Sequence, residues 1–131
     1  MNRERFEWFV ASAVETLPEE FLNRLENVAV VVEDYPTSAQ LTKTGVRHGH
    51  TLLGLYERVP LTKRGTRYGL VPPDKITIFQ KAIESRCIDG TEITAEIQRV
   101  VRHEIAHYFG IGESKLRQIE KAKFKGKGKA S

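Results

Sequence analysis

Cysteine is nearly missing: Cys87 is the single one in 131 residues. No intramolecular disulfide can form, so a bridged framework is excluded, and a lone thiol suits a reducing compartment, where it reads as a small buried apolar residue. Long hydrophobic runs are missing as well. No apolar stretch approaches the ~20 residues that a membrane span needs, so no membrane association is expected. The first residues, Met1 to Glu7, mix both charges and lack the apolar core and small-residue cleavage site of a secretory signal, which points to the cytoplasm. No internal repeat is present. Hydrophobic residues at 40% and charged residues at 29% are ordinary for a folded domain, and the length suffices for one core rather than two.

The formal charge of +4 is local. Lys121, Lys123, Lys125, Lys127 and Lys129 stand in the last eleven residues with no acid among them, and subtracting these five leaves −1 on residues 1–120. The chain therefore divides into a domain over 1–120 and a basic Gly/Lys/Ala/Ser tail over 121–131, whose composition cannot bury enough surface to fold. A nucleic-acid partner is disfavoured, apart from weak electrostatic contact through that tail.

Phe6, Phe9, Val10, Ala13, Val14 and Leu17 recur at helical spacing, and Pro18 ends that helix or opens a short second one. Val28 to Val32, bounded by Asn27 and by Asp34 to Pro36, reads as a buried strand. Pro36 to His50 has no periodicity and is expected to be a mobile loop, with His48 and His50 in solvent. Thr51 to Glu57 reads as a second strand, Val59 to Gly69 as a loop or open hairpin, and Lys75 to Gln80 as a third strand of period two. A helix capped by Asp89 or Thr91, with Ile93, Ile97, Val100 and Ile105 on one face, runs to Gly110. A last helix is expected from Glu113 to Ala122, with Leu116 and Ile119 as its apolar contacts.

The chemistry sits on the longer of these helices. His103-Glu104-Ile105-Ala106-His107 is an H-E-x-x-H motif: positions i and i+4 share one helix face, so two imidazoles can reach one ion while Glu104 reaches a water held by it. Gly110 can adopt the left-handed conformation that ends the helix and turns the chain back. Glu113 then stands at the eleventh position of the motif. As a third ligand it would complete a two-histidine, one-carboxylate zinc site with an open fourth position, and the competing reading makes it a cap of the last helix. Ser85, Glu84, Asp89 and Glu92 are weaker candidates for that ligand. The motif's ligands would also accept other divalent first-row ions, with zinc the default. No oxyanion donor is singled out among Tyr35, Tyr56, Tyr68, Arg64 and Arg67.

These stretches, together with Leu17 to Phe21, Asn27 to Asp34, Leu53 to Tyr56 and Pro73 to Phe79, make the chain resemble the minimal zincins, small bacterial zincin-like metallopeptidases. The likeness covers nearly everything but the tail. It implies an α+β fold with a small twisted sheet, an active-site helix beneath it, and zinc held by His103 and His107. The family usually carries aspartate at the eleventh position; Glu113 is one methylene longer, so its role as ligand carries over by analogy. The resemblance also implies hydrolysis of a peptide or protein substrate, with Glu104 as general base, and an extended substrate beside an edge strand, for which Ile76 to Gln80 is the candidate. The alternative is a metal-binding scaffold or regulatory protein with little turnover. Oligomeric state has no signature in the sequence.

Overall fold

A computed structural model of the chain describes residues 1–46, 51–58, 72–112, 114–119 and 121. Chain order is α1 (Arg3–Glu15), α2 (Glu19–Arg24), β1 (Val28–Glu33), α3 (Ser38–Thr44), β2 (Gly54–Glu57), β3 (Asp74–Phe79), α4 (Gln80–Glu84) and α5 (Gly90–Phe109). Residues 114–119 are again helical. The fold is α+β. Among the described residues the sheet has three strands in the order β1-β3-β2, with β1 parallel and β2 antiparallel to β3.

Each helix follows from local chemistry. Asn2 caps α1 by accepting from the Arg5 amide at 2.8 Å. Pro18 does both things its position allows: α1 stops at Glu15, and the Pro18 carbonyl accepts from the amides of Phe21 and Leu22 to start α2. Asp89 caps α5 through the Glu92 amide at 3.0 Å. Gly110, at φ +68°, closes the other end, where the Ile111 amide reaches back to the Ala106 carbonyl at 2.7 Å.

Helices α1, α2 and α5 cover one face of the sheet. Ile76 and Ile78 of β3 meet Phe6, Phe21, Ile97, Val101 and Ile105 there, all fully buried. Ile119 is buried in the same cluster and Leu116 packs against it, so the chain folds back onto the core after α5. Half-buried Cys87 also lies against this core; burial raises its pKa, as do Glu96, Glu92 and Asp89, against the opposing effect of Arg86.

Two sequence expectations are corrected. Part of the loop expected over 36–50 is helix α3, built on a reciprocal box in which the Thr37 hydroxyl accepts from the Gln40 amide and the Gln40 side chain from the Thr37 amide. Ile76 to Gln80 is no edge strand. β3 is paired on both sides, and Gln80 begins α4, where its buried amide group binds Arg3, Glu84 and the Met1 carbonyl. Strand β3 alternates in sequence without alternating in burial, because Thr77 and Phe79 are as buried as Ile76 and Ile78. The expected hairpin over 59–69 lies outside the described residues, as do His48, His50 and residues 122–131.

Ile97 is fully buried at the middle of α5. Ile97→Ala should lower unfolding stability by about 3 kcal/mol, read as a reduced urea midpoint with unchanged slope.

Candidate active site

Three adjacent stripes of α5 divide the work. His103 and His107, one turn apart, are both exposed. The next stripe, Glu104 and Tyr108, faces β2. The third carries Ile105, fully buried in the core. A helix turns 100° per residue, so the motif's spacing places the imidazoles outward and the carboxylate against the sheet.

The half-buried Glu104 carboxylate is held by main chain. Its Oε1 accepts the backbone N–H of Tyr56 at 2.9 Å. One turn further, Tyr108 stacks on the Tyr56 ring with centroids 3.9 Å apart and planes 18° from parallel. The Tyr56 hydroxyl donates to Asp74 Oδ2 at 2.9 Å, fixing β2 to the start of β3. Phe109 meets both tyrosine rings edge-on, and the Arg24 guanidinium lies 4.9 Å from its centroid. Burial raises the Glu104 carboxyl above its ordinary range. The Tyr56 amide and the imidazoles of His107 and His103 pull it down without cancelling that effect.

Gly54 sets the distance. A Cβ built there would stand 2.4 Å from Val100 Cγ1 and 3.3 Å from the Thr77 carbonyl oxygen. No side chain fits between β2 and α5 at this point, and the resulting contact brings the Tyr56 amide to Glu104. A glycine inside a strand pattern was the available sequence signal for such a close approach. The Tyr56 amide itself gave none, since a backbone donor 48 residues from its acceptor leaves no trace in side-chain identity.

Of the residues expected at the site, the structure places His103, Glu104 and His107 on adjoining stripes. Glu113 lies outside the described residues, and among those described no group of three or more His, Cys, Asp or Glu side chains is arranged to hold an ion. Glu92 in the first turn of α5 lies about 16 Å along the axis from His103 and the N-cap Asp89 about 21 Å, too far to share an ion with it, and the Glu84 carboxylate accepts from the Gln80 side chain. The Tyr56 hydroxyl is taken up by Asp74, Tyr35 is exposed, and Arg64, Arg67 and Tyr68 fall outside the described residues. The donor chemistry fits zinc: two exposed imidazoles at i and i+4 beside a carboxylate held clear of them by β2.

Gly54→Ala should force β2 off α5, lowering stability by about 1–3 kcal/mol and shifting the Tyr56 amide resonance. Adding Val100→Ala removes the colliding methyl, so the double variant should recover the resonance where the single one does not.

The zincin-like metallopeptidase family matches residues 25–122, from the end of α2 through α5 to the helical segment beyond it. No curated protein matches the chain. A conserved hypothetical protein from Thermo thermophilus is similar in fold, with a TM-score of 0.54 and 22% identity over 83% of this chain and 94% of that one. Among the described residues no helix is long and apolar enough to cross a membrane. With three quarters of its length matched, the chain belongs to the zincin-like metallopeptidase family.

Proposed function

We propose that this protein is a zinc-dependent peptidase in which His103, His107 and Glu113 hold the ion and Glu104 is the general base. The observation that carries the reading is the Glu104 carboxylate, half-buried beside the histidine stripe and oriented by the Tyr56 amide. A structural glutamate on an exposed helix stripe would not need a strand amide to aim it.

Zinc, when bound, lowers the pKa of a coordinated water and polarises a scissile carbonyl. The chain's own part is proton handling and placement. With Oε1 engaged by Tyr56, Glu104 takes a water proton on Oε2 and passes it to the leaving amine. Its raised basicity follows from burial and suits a base that must work near neutral pH. The substrate, a peptide or unfolded protein segment, lies along the β2 side of α5, because β3 is enclosed. Tyr108 and Phe109, 40% and 39% exposed, give that side an apolar wall next to His107.

A metal-binding scaffold with little turnover is the second reading. It is favoured by the exposure of both histidines.

Metal analysis and cleavage of a fluorogenically labelled, denatured protein separate the two. Wild type and Glu104→Gln should each carry one zinc per chain, and His107→Ala should lose it. Glu104→Gln should cleave about 10²–10⁴-fold more slowly than wild type. Glu113→Ala should weaken zinc binding by at least about tenfold. Stoichiometric zinc without cleavage in any form favours the scaffold reading or a narrow substrate, and no zinc in wild type removes the site.

A further inference from the structure

A groove of about 610 Å³ runs between α1 and β1, and none of its lining residues belongs to the histidine stripe. Val10 and Val14 of α1 and Val30 and Val31 of β1 supply its walls, with the exposed carboxylates of Glu7 and Glu15 on its rim. Strand β1 is anomalous. Val28 to Val32 form a continuous apolar run, the pattern of a strand enclosed by neighbours, yet every one of them is only partly buried.

The backbone of β1 shows what is missing. Along a parallel strand the N–H and C=O of one residue point to the same side, and the side alternates. The Val28 amide binds the Leu25 carbonyl at 3.1 Å, and the Val32 carbonyl accepts from Arg3 Nη1 at 2.9 Å, so both residues point away from β3. Val30 points the same way. Between these two capped ends, the Val28 carbonyl, both polar groups of Val30 and the Val32 amide face the groove with no hydrogen bond among the described residues. The groove that α1 and β1 line leaves room beside this strand for one more extended segment.

We propose that this groove binds an extended segment of another protein as a fourth strand on β1, with basic residues four apart and an apolar residue midway between them. Main-chain bonds to Val28, Val30 and Val32 supply the pairing, and the apolar side chain enters between Val10, Val14 and Val30. The spacing comes from the rim. Glu7 and Glu15 are eight helical residues apart, about 12 Å, which an extended chain covers in about four residues. Charge decides against the other occupants. A second copy docking through its own β1 would bring two acidic rims together. The chain's own lysine tail, drawn out as a strand, would place Lys121, Lys123, Lys125, Lys127 and Lys129 on one face with no apolar residue between them. Helix α1, which supplies one wall of the groove, precedes the span that the family matches, while β1 lies within it.

The test uses the full chain and a labelled seven-residue peptide, Thr-Lys-Thr-Val-Thr-Lys-Thr, capped at both ends, against its counterpart with glutamate for lysine. Anisotropy should show the lysine peptide binding at least about tenfold more tightly than the glutamate one, with the preference lost in a Glu7→Lys, Glu15→Lys variant. Hydrogen exchange should slow at the Val30 and Val32 amides on binding, while those of Ala29 and Val31, turned to β3, stay unchanged. Equal binding of both peptides, or insensitivity to charge reversal, overturns the proposal, as does the absence of protection at Val30 and Val32. It is overturned in favour of self-association if those amides are protected in the chain alone with a concentration dependence. If their protection disappears on removing residues 122–131, the tail is the occupant and the proposal fails equally.

Discussion

How closely a backbone may approach a helix governs this molecule. At Gly54 the strand β2 comes so near α5 that a single methyl would collide with Val100. That contact puts a main-chain N–H against the Glu104 carboxylate, offsetting part of the desolvation that the carboxylate suffers between helix and sheet. The stacked rings of Tyr56 and Tyr108 and the bond from the Tyr56 hydroxyl to Asp74 hold the strand in register with the helix. Because the donor is backbone, no substitution at Tyr56 other than proline removes it. Otherwise only a displacement of the strand can, and so the packing of a glycine is tied to the orientation of the group proposed as base.

Helix α5 supplies core and chemistry at once. Its buried residues Ile93, Ile97, Val100, Val101 and Ile105 contribute on the order of 10 kcal/mol of gross burial, since each large aliphatic side chain is worth about 1.5–3 kcal/mol. The two histidines contribute none of it, being exposed. A short loop could present two imidazoles, but it would not fix their separation. A helix anchored along its opposite side, with Asp89 and Gly110 closing its ends, does so at no cost in its own stability.

How much of this was legible in the sequence follows from range. The H-E-x-x-H stripe, the capping Asp89, the terminating Gly110 and the three strands depend on neighbours within a few residues, and the structure has them where periodicity and punctuation put them. Helix α3 carries its Thr37–Gln40 box in the sequence but no apolar stripe, because none of its residues is buried, and so its periodicity is silent. Strand order was beyond local reading. The alternation Ile76, Thr77, Ile78 suggests a strand with one solvated face, and a threonine at that position discloses nothing of the layer that covers it. At the site, Glu104 was recognised from its motif while its partner at Tyr56 was not, because a fold that pairs residues 48 apart is written in packing.

The sheet's two outer strands are handled in opposite ways, and this separates their roles. Strand β2 gives the Tyr56 amide to α5, so a carboxylate of the helical layer occupies the edge at the H-E-x-x-H motif. Among the described residues strand β1 is closed only at its ends, by the Leu25 turn at Val28 and by Arg3 at Val32, with Asp34 and Gln80 in turn fixing the guanidinium. An open edge of consecutive valines invites uncontrolled pairing, and charge beside it is the usual remedy. Here the charge is of one sign along one helix row, Glu7 and Glu15, which repels a second copy while leaving a positively charged strand unopposed. The edge is therefore guarded selectively. Strand β3 lies between these two strands, bonded to both, so a partner on β1 is separated from the motif by a central strand whose residues Ile76 to Phe79 are fully buried.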